Sequence, residues 1–167
     1  MRTEQITRSL SAGFTLIELL VAISLMIILF GGGISAYLRV DRRQSLINVC
    51  NQIEQFARTA QKRARVGDKP TACNRLQAYR VSRTATGPDL ISLQAVCDNG
   101  TYLIESYNVP TVFTITQISP MNFRVLHGGL EETGPIPVTA RSTSPNYQCQ
   151  FSVESGGSVS ATTITQY

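Results

Sequence analysis

Glu18 is the residue whose setting most demands a chemical explanation. It is the one carboxylate in Phe14-Thr15-Leu16-Ile17-Glu18-Leu19-Leu20-Val21-Ala22, and the apolar run continues to Phe30. A charge at the centre of a membrane span costs about 2.5–3.5 kcal/mol on insertion scales, so a segment that keeps Glu18 needs a positive partner for it. A free α-amino group would serve. One would arise if the chain were cut after Gly13, at the head of the run.

Other residues of reactive type form no catalytic constellation. His127 is the single histidine and stands beside Gly128-Gly129, where a turn or strand end is expected. The cysteines Cys50, Cys73, Cys97 and Cys149 contain no C-x-x-C pair, so a metal site has little support. Glu131-Glu132 lies in a Gly/Pro-flanked loop, and adjacent loop carboxylates face solvent more often than they share a proton. Gly31-Gly32-Gly33 has no lysine after it, so it is not a phosphate-binding loop. Arg58, Lys62, Arg63, Arg65 and Lys69 form a cationic group that could meet phosphates. A solvated face, or a patch for acidic groups of a partner, is the preferred reading, and without interleaved aromatics nothing points to base stacking. The chain is therefore expected not to be an enzyme and to use no metal or cofactor.

Composition sets the frame for these residues. The 167 residues suit one soluble domain plus a membrane segment. Charged residues are 16% of the chain, which argues against disorder. The net charge is +4, and loss of Arg2, Glu4 and Arg8 would lower it to +3, a mild excess that says little about partners. Arg2 and Arg8 should hold the amino end in the cytoplasm by the positive-inside rule. From Phe14 to Leu38 the chain would measure roughly 37 Å as a helix, against a hydrocarbon core of about 30 Å. Gly31, Gly32 and Gly33 are its soft point, since glycine costs about 1 kcal/mol relative to alanine in a helix interior. Close helix packing by small residues explains them equally well.

From Arg39 to Val66 the pattern becomes that of an amphipathic helix. Leu46, Val49, Cys50, Ile53, Phe56, Ala57, Ala60 and Ala64 recur at spacings of three and four and share one stripe. Basic residues, Gly67 and Pro70 follow in the order expected of a helix end. Strand grammar then takes over, over 76–82, 90–97, 101–107, 109–118, 122–126, 136–141, 147–153 and 159–165, with turns at Thr86-Gly87-Pro88-Asp89 and Asp98-Asn99-Gly100. No strand is followed by a second long helix, which excludes parallel βαβ units. The expected fold is α+β, an antiparallel β domain packed on the second half of one long helix. Four cysteines allow three pairings. Cys73 and Cys97 flank the first hairpin and are expected to pair outside the cytoplasm, leaving Cys50 and Cys149 to pair across the core or stay as buried thiols.

At residues 13–22 the chain resembles the type IV prepilins and the pseudopilins of type II secretion. The resemblance implies a leader, residues 1–13, cut after Gly13 by the prepilin peptidase, which also N-methylates the new terminus at Phe14. It implies that Glu18 pairs with the amine of a neighbouring subunit in a helical filament, and that 14–38 is a transmembrane and assembly helix, followed by the amphipathic helix 39–66 and a β domain over 67–167. The implied location is the inner membrane, single-pass with the soluble domain outside the cytoplasm, and then the pilus or pseudopilus. A secretory signal peptide cut near Gly33-Ile34-Ser35-Ala36 fits badly, because Glu18 weakens the segment that must insert. A plain anchor leaves Gly13 and Glu18 unexplained.

The later chain is similar to H-type minor pseudopilins and related minor pilins. The similarity runs through Ala57 to Val66, Asn122-Phe123-Arg124-Val125, Gly128-Gly129 and the closing segment around Gly156-Gly157. Some DNA-binding minor pilins of that branch end in glycine–arginine–any–arginine. Here the comparable residues are Gly156-Gly157-Ser158-Val159-Ser160, with no arginine, so DNA is an alternative partner that is not favoured.

Overall fold

The computed structural model describes residues 15–84, 87–143 and 146–166. They divide into two compact units between Leu38 and Arg39. Gly13, Phe14, the leader and Thr86 of the first hairpin turn lie outside the described residues.

One helix, α1, runs Leu16–Val66. In the first unit its large side chains, from Leu16 to Leu38, are all exposed, and α1 is long and apolar enough to cross a membrane. In the second unit the same helix is amphipathic. Leu46, Val49, Cys50, Ile53, Phe56, Ala57, Ala60 and Ala64 are buried, every residue of the expected stripe. Burying each of the large apolar ones is worth about 1.5–3 kcal/mol.

Eight strands follow: β1 Leu76–Thr84, β2 Leu90–Cys97, β3 Gly100–Asn108, β4 Phe113–Gln117, β5 Met121–Arg124, β6 Ile136–Thr143, β7 Asn146–Val153 and β8 Thr163–Gln166. They form two four-stranded antiparallel sheets, ordered β3-β2-β1-β5 and β4-β6-β7-β8. Tyr79, Val81, Ile91 and Leu93 of the first sheet and Ile115, Val138, Cys149 and Phe151 of the second join the helical stripe in one core. The fold is α+β, as the alternating patterns predict.

Three strands are shorter than their patterns suggest, the first being β5, which ends at Arg124 and not at Leu126 because the chain turns there. β4 begins at Phe113 and not at Val109, because Pro110 has no N–H to give a ladder. The Val109 N–H instead reaches the Asp89 carbonyl at 2.8 Å, and the Phe113 N–H closes a turn on Pro110. β8 begins at Thr163 and not at Val159. Val159 makes only an isolated bridge to Val153, and although the Ser160 N–H reaches the Ser152 carbonyl at 2.8 Å, the Ser152 N–H goes to the Ser160 hydroxyl at 2.7 Å, so a side chain replaces one bond of the ladder there.

The two sheets are tied at Asp89. Its carboxylate accepts from Arg83 Nε at 2.8 Å in the first sheet and from the Ile115 N–H at 3.0 Å in the second. Two disulfides add covalent ties, Cys73–Cys97 across the first hairpin and Cys50–Cys149 between α1 and β7. The second spans 99 residues of sequence, and a loop of about 100 residues gains about 4.7 kcal/mol in the chain-entropy account.

Ile53 is fully buried in the stripe, whereas Asn51 is exposed on the same helix. Ile53→Asp would bury an unpaired charge at a cost of several kcal/mol, comparable to the whole stability of an ordinary domain. Thermal melting by circular dichroism should show the cooperative transition lost in Ile53→Asp and unchanged in Asn51→Asp.

Candidate functional site

The amino end of α1 is built by Thr15. Its carbonyl accepts the first helical hydrogen bond, from Leu19 N–H at 3.2 Å, and its Oγ1 accepts from the Glu18 N–H at 3.3 Å. Thr15-Leu16-Ile17-Glu18 thus has the spacing of a capping box, with a hydroxyl at the cap and a carboxylate three residues on. An acidic side chain in the first turn also suits the helix dipole. These local effects fix where the helix starts. They do not explain a charge on a surface whose large side chains are apolar and exposed from Leu16 to Phe30. Glu18 is the one charged residue between Leu16 and Leu38. The helix passes through Gly31, Gly32 and Gly33 without a break, and Gly31 faces open space.

The carboxyl end of α1 is finished by a full Schellman motif. The Asp68 N–H bonds the Arg63 carbonyl and the Gly67 N–H the Ala64 carbonyl, both at 3.2 Å, with Gly67 at φ +67° where an L side chain would be strained. A third donor comes from far along the chain: the Leu126 N–H reaches the Ala64 carbonyl at 2.8 Å. To make that bond, in the tight reversal after β5, Leu126 adopts φ +68°. The left-handed conformation costs a non-glycine residue roughly 1–2 kcal/mol.

The five cations expected as one patch are dispersed among separate tasks. Arg58 pairs with Glu54 at 2.7 Å, and Arg63 with Asp68 at 3.4 Å. Lys69 Nζ donates to the Cys73 and Asn74 carbonyls at 2.9 and 2.8 Å, pinning the loop beside the first disulfide. Arg65 lies along Gly128, where a Cβ would overlap its side chain. Lys62 is exposed. Residues absent from the sequence-derived group, just before β1 and at the end of β5, add to this end of the domain. Arg75, Arg124 and His127 line one hollow together with Leu126, while Lys62, Arg63, Val66 and Asp68 line another. No sequence signal links Arg75 and Arg124 to the helix end, because sheet pairing brings them there.

Tyr79 locks the same end. Its hydroxyl donates to the Asp68 carbonyl at 2.6 Å. Burial raises its pKa, with Arg63 opposing and Asp68 reinforcing the rise. Burial raises that of Tyr107 too. Glu132 accepts from Asn122 Nδ2 at 2.8 Å, and Asn122 accepts from Arg80 Nε at 2.8 Å. The four cysteines are all bridged. Among the described residues no three His, Cys, Asp or Glu side chains gather as a metal site would need.

Residues 8–34 match the family model described as the prokaryotic N-terminal methylation motif. No curated protein and no solved structure matches the chain. The motif supports a type IV pilin-like protein, a structural and not an enzymatic class.

Two glycine loops and the helix meet tightly behind Leu126. The Leu130 N–H bonds the Ser155 carbonyl at 2.8 Å, and Gln61 Nε2 donates to the Gly156 carbonyl at 3.2 Å. Gly157 has φ +82°, and a Cβ there would overlap the Gly128 carbonyl oxygen and the Gln61 amide. Gly157→Ala should therefore destabilise by about 1–3 kcal/mol, read as a lowered melting temperature. Ser158→Ala, one residue on, is exposed and should melt as the parent does.

Proposed function

We propose that this protein is a structural, minor subunit of a type IV pilus or type II secretion pseudopilus. The observation that carries the reading is the methylation motif over 8–34, which takes in the exposed apolar part of α1, where Glu18 is the one charge before Arg39. On this reading the prepilin peptidase removes residues 1–13 and methylates Phe14. Residues 14–38 hold the chain in the inner membrane until assembly, with 39–66 and the β domain over 67–167 outside the cytoplasm. Partners are other pilin or pseudopilin subunits, met through the apolar helix. The minor-subunit assignment is supported by the resemblance of the region from Ala57 to Gly157 to H-type minor pseudopilins.

Glu18 has a role in assembly by simple electrostatics. An unpaired carboxylate among exposed apolar side chains favours any arrangement that brings a cation to it. The α-amino group of Phe14 in an adjoining subunit is such a cation. Within one helix that amine would stand near the helix amino terminus, where the dipole already disfavours positive charge.

Mass spectrometry of the mature amino terminus tests the processing. The expected result is a chain beginning at N-methylated Phe14, and a start near Ala36 or an intact Met1 would overturn the reading. Glu18→Ala tests the assembly role separately. The variant should insert and be cleaved normally but enter filaments poorly, measured as the ratio of sheared filament to membrane-bound protein. Normal incorporation would remove the charge from the mechanism.

A further inference from the structure

Few large apolar side chains of the second unit are exposed, and the two most exposed of them lie together. Val66 is 73% exposed and Leu126 74%. They are neighbours in space because the Leu126 N–H caps the last turn of α1 and the Leu126 side chain lies beside Gly67. The two hollows described above flank this apolar pair, one on the helix side and one on the strand side. Lys62, Arg63, Arg65, Arg75 and Arg124 surround it, an excess over the acidic residues nearby, which are Asp68 in one hollow, Asp98 at the Arg75 N–H and Glu131, whose carbonyl Arg124 reaches.

Leu126 is the informative member. Its backbone is left-handed, a conformation that glycine or asparagine would adopt at less cost. Its side chain gains little from burial in return. A strained, outward-facing leucine is better accounted for by a partner that covers it than by the fold that holds it. The cationic rim specifies the character of that partner, since like-charged surfaces would be repelled and an acidic one drawn in.

We propose that Val66 and Leu126 form the apolar centre of a docking surface for an acidic protein segment that carries a large apolar side chain. The apolar side chain covers the pair, while Arg75 and Arg124 on one side and Lys62 on the other take carboxylates. A protein segment fits better than nucleic acid, because the pair is aliphatic and offers no ring for a base to stack on. The inference does not depend on cleavage at Gly13, and the two readings can fail independently.

The test uses the full chain in detergent, with residues 1–13 still attached, to pan a phage-displayed library of random short peptides. Enriched peptides should combine Asp or Glu with Leu, Ile or Phe, and their affinity should fall as salt rises. Leu126→Gly should weaken binding about tenfold or more while leaving the melting temperature unchanged or raised, since glycine relieves the strain. Arg124→Glu should weaken the same peptides without loss of the folding transition. Failure to enrich any peptide, a consensus without acidic residues, or affinity indifferent to both substitutions would each overturn the proposal. Duplex DNA that displaces the peptides in a Leu126-dependent manner would overturn it too, by assigning the face to nucleic acid.

Discussion

The domain depends on one apolar stripe of α1 that shares a single core with both sheets. Ala57, Ala60 and Ala64 are buried in it beside the larger Leu46, Ile53 and Phe56. Side chains from α1 and from both sheets make up that core. The carboxyl end of α1 is held by donors from two parts of the chain, Gly67 and Asp68 just beyond it and Leu126 after β5. Sequence-distant segments are thus registered against one point, the Ala64 carbonyl. Charge and strain gather around the same point, because Tyr79, Arg63, Arg65 and Leu126 must all fit there.

Much of this architecture is legible in the order of residues. The helical stripe reads directly, because period 3.6 is kept from Leu46 to Ala64 without a conflicting residue. The hairpin of β1 and β2 reads from its turn residues, and the Cys73–Cys97 bridge follows from the strands that flank them. The division of eight strands into two sheets does not read. It depends on non-local pairings such as β1 with β5, which no turn signal encodes. The ends of β4 and β8 fail for local reasons, a proline at 110 and a competing hydroxyl at Ser160.

The functional features divide in a similar way. Glu18 stands out in sequence because a charge in an apolar run is costly wherever the chain folds. The cationic patch is less transparent. Spacing along a helix puts Arg58, Lys62, Arg63, Arg65 and Lys69 near one another, but folding engages Arg58, Arg63 and Lys69 with local partners. Arg124 comes near the residues before β1 through the pairing of β1 with β5, and Leu126 reaches the helix end by its own N–H bond to the Ala64 carbonyl. A leucine is an unremarkable residue on paper, and only its backbone angle marks it out.

The Cys50–Cys149 bridge has a mechanical meaning. α1 enters the second unit at Arg39, and the sulfur attached to its third turn beyond that point belongs to β7, a central strand of its sheet. Tension applied to the helix from its amino end therefore passes through a covalent bond into the sheet before it reaches Ile53, Phe56 or the capped terminus. The helix cannot be drawn lengthwise out of the core while that bond is intact. Beyond Cys50 the helical stripe is thereby shielded from a pull on the helix, and α1 and the second sheet must move as one body.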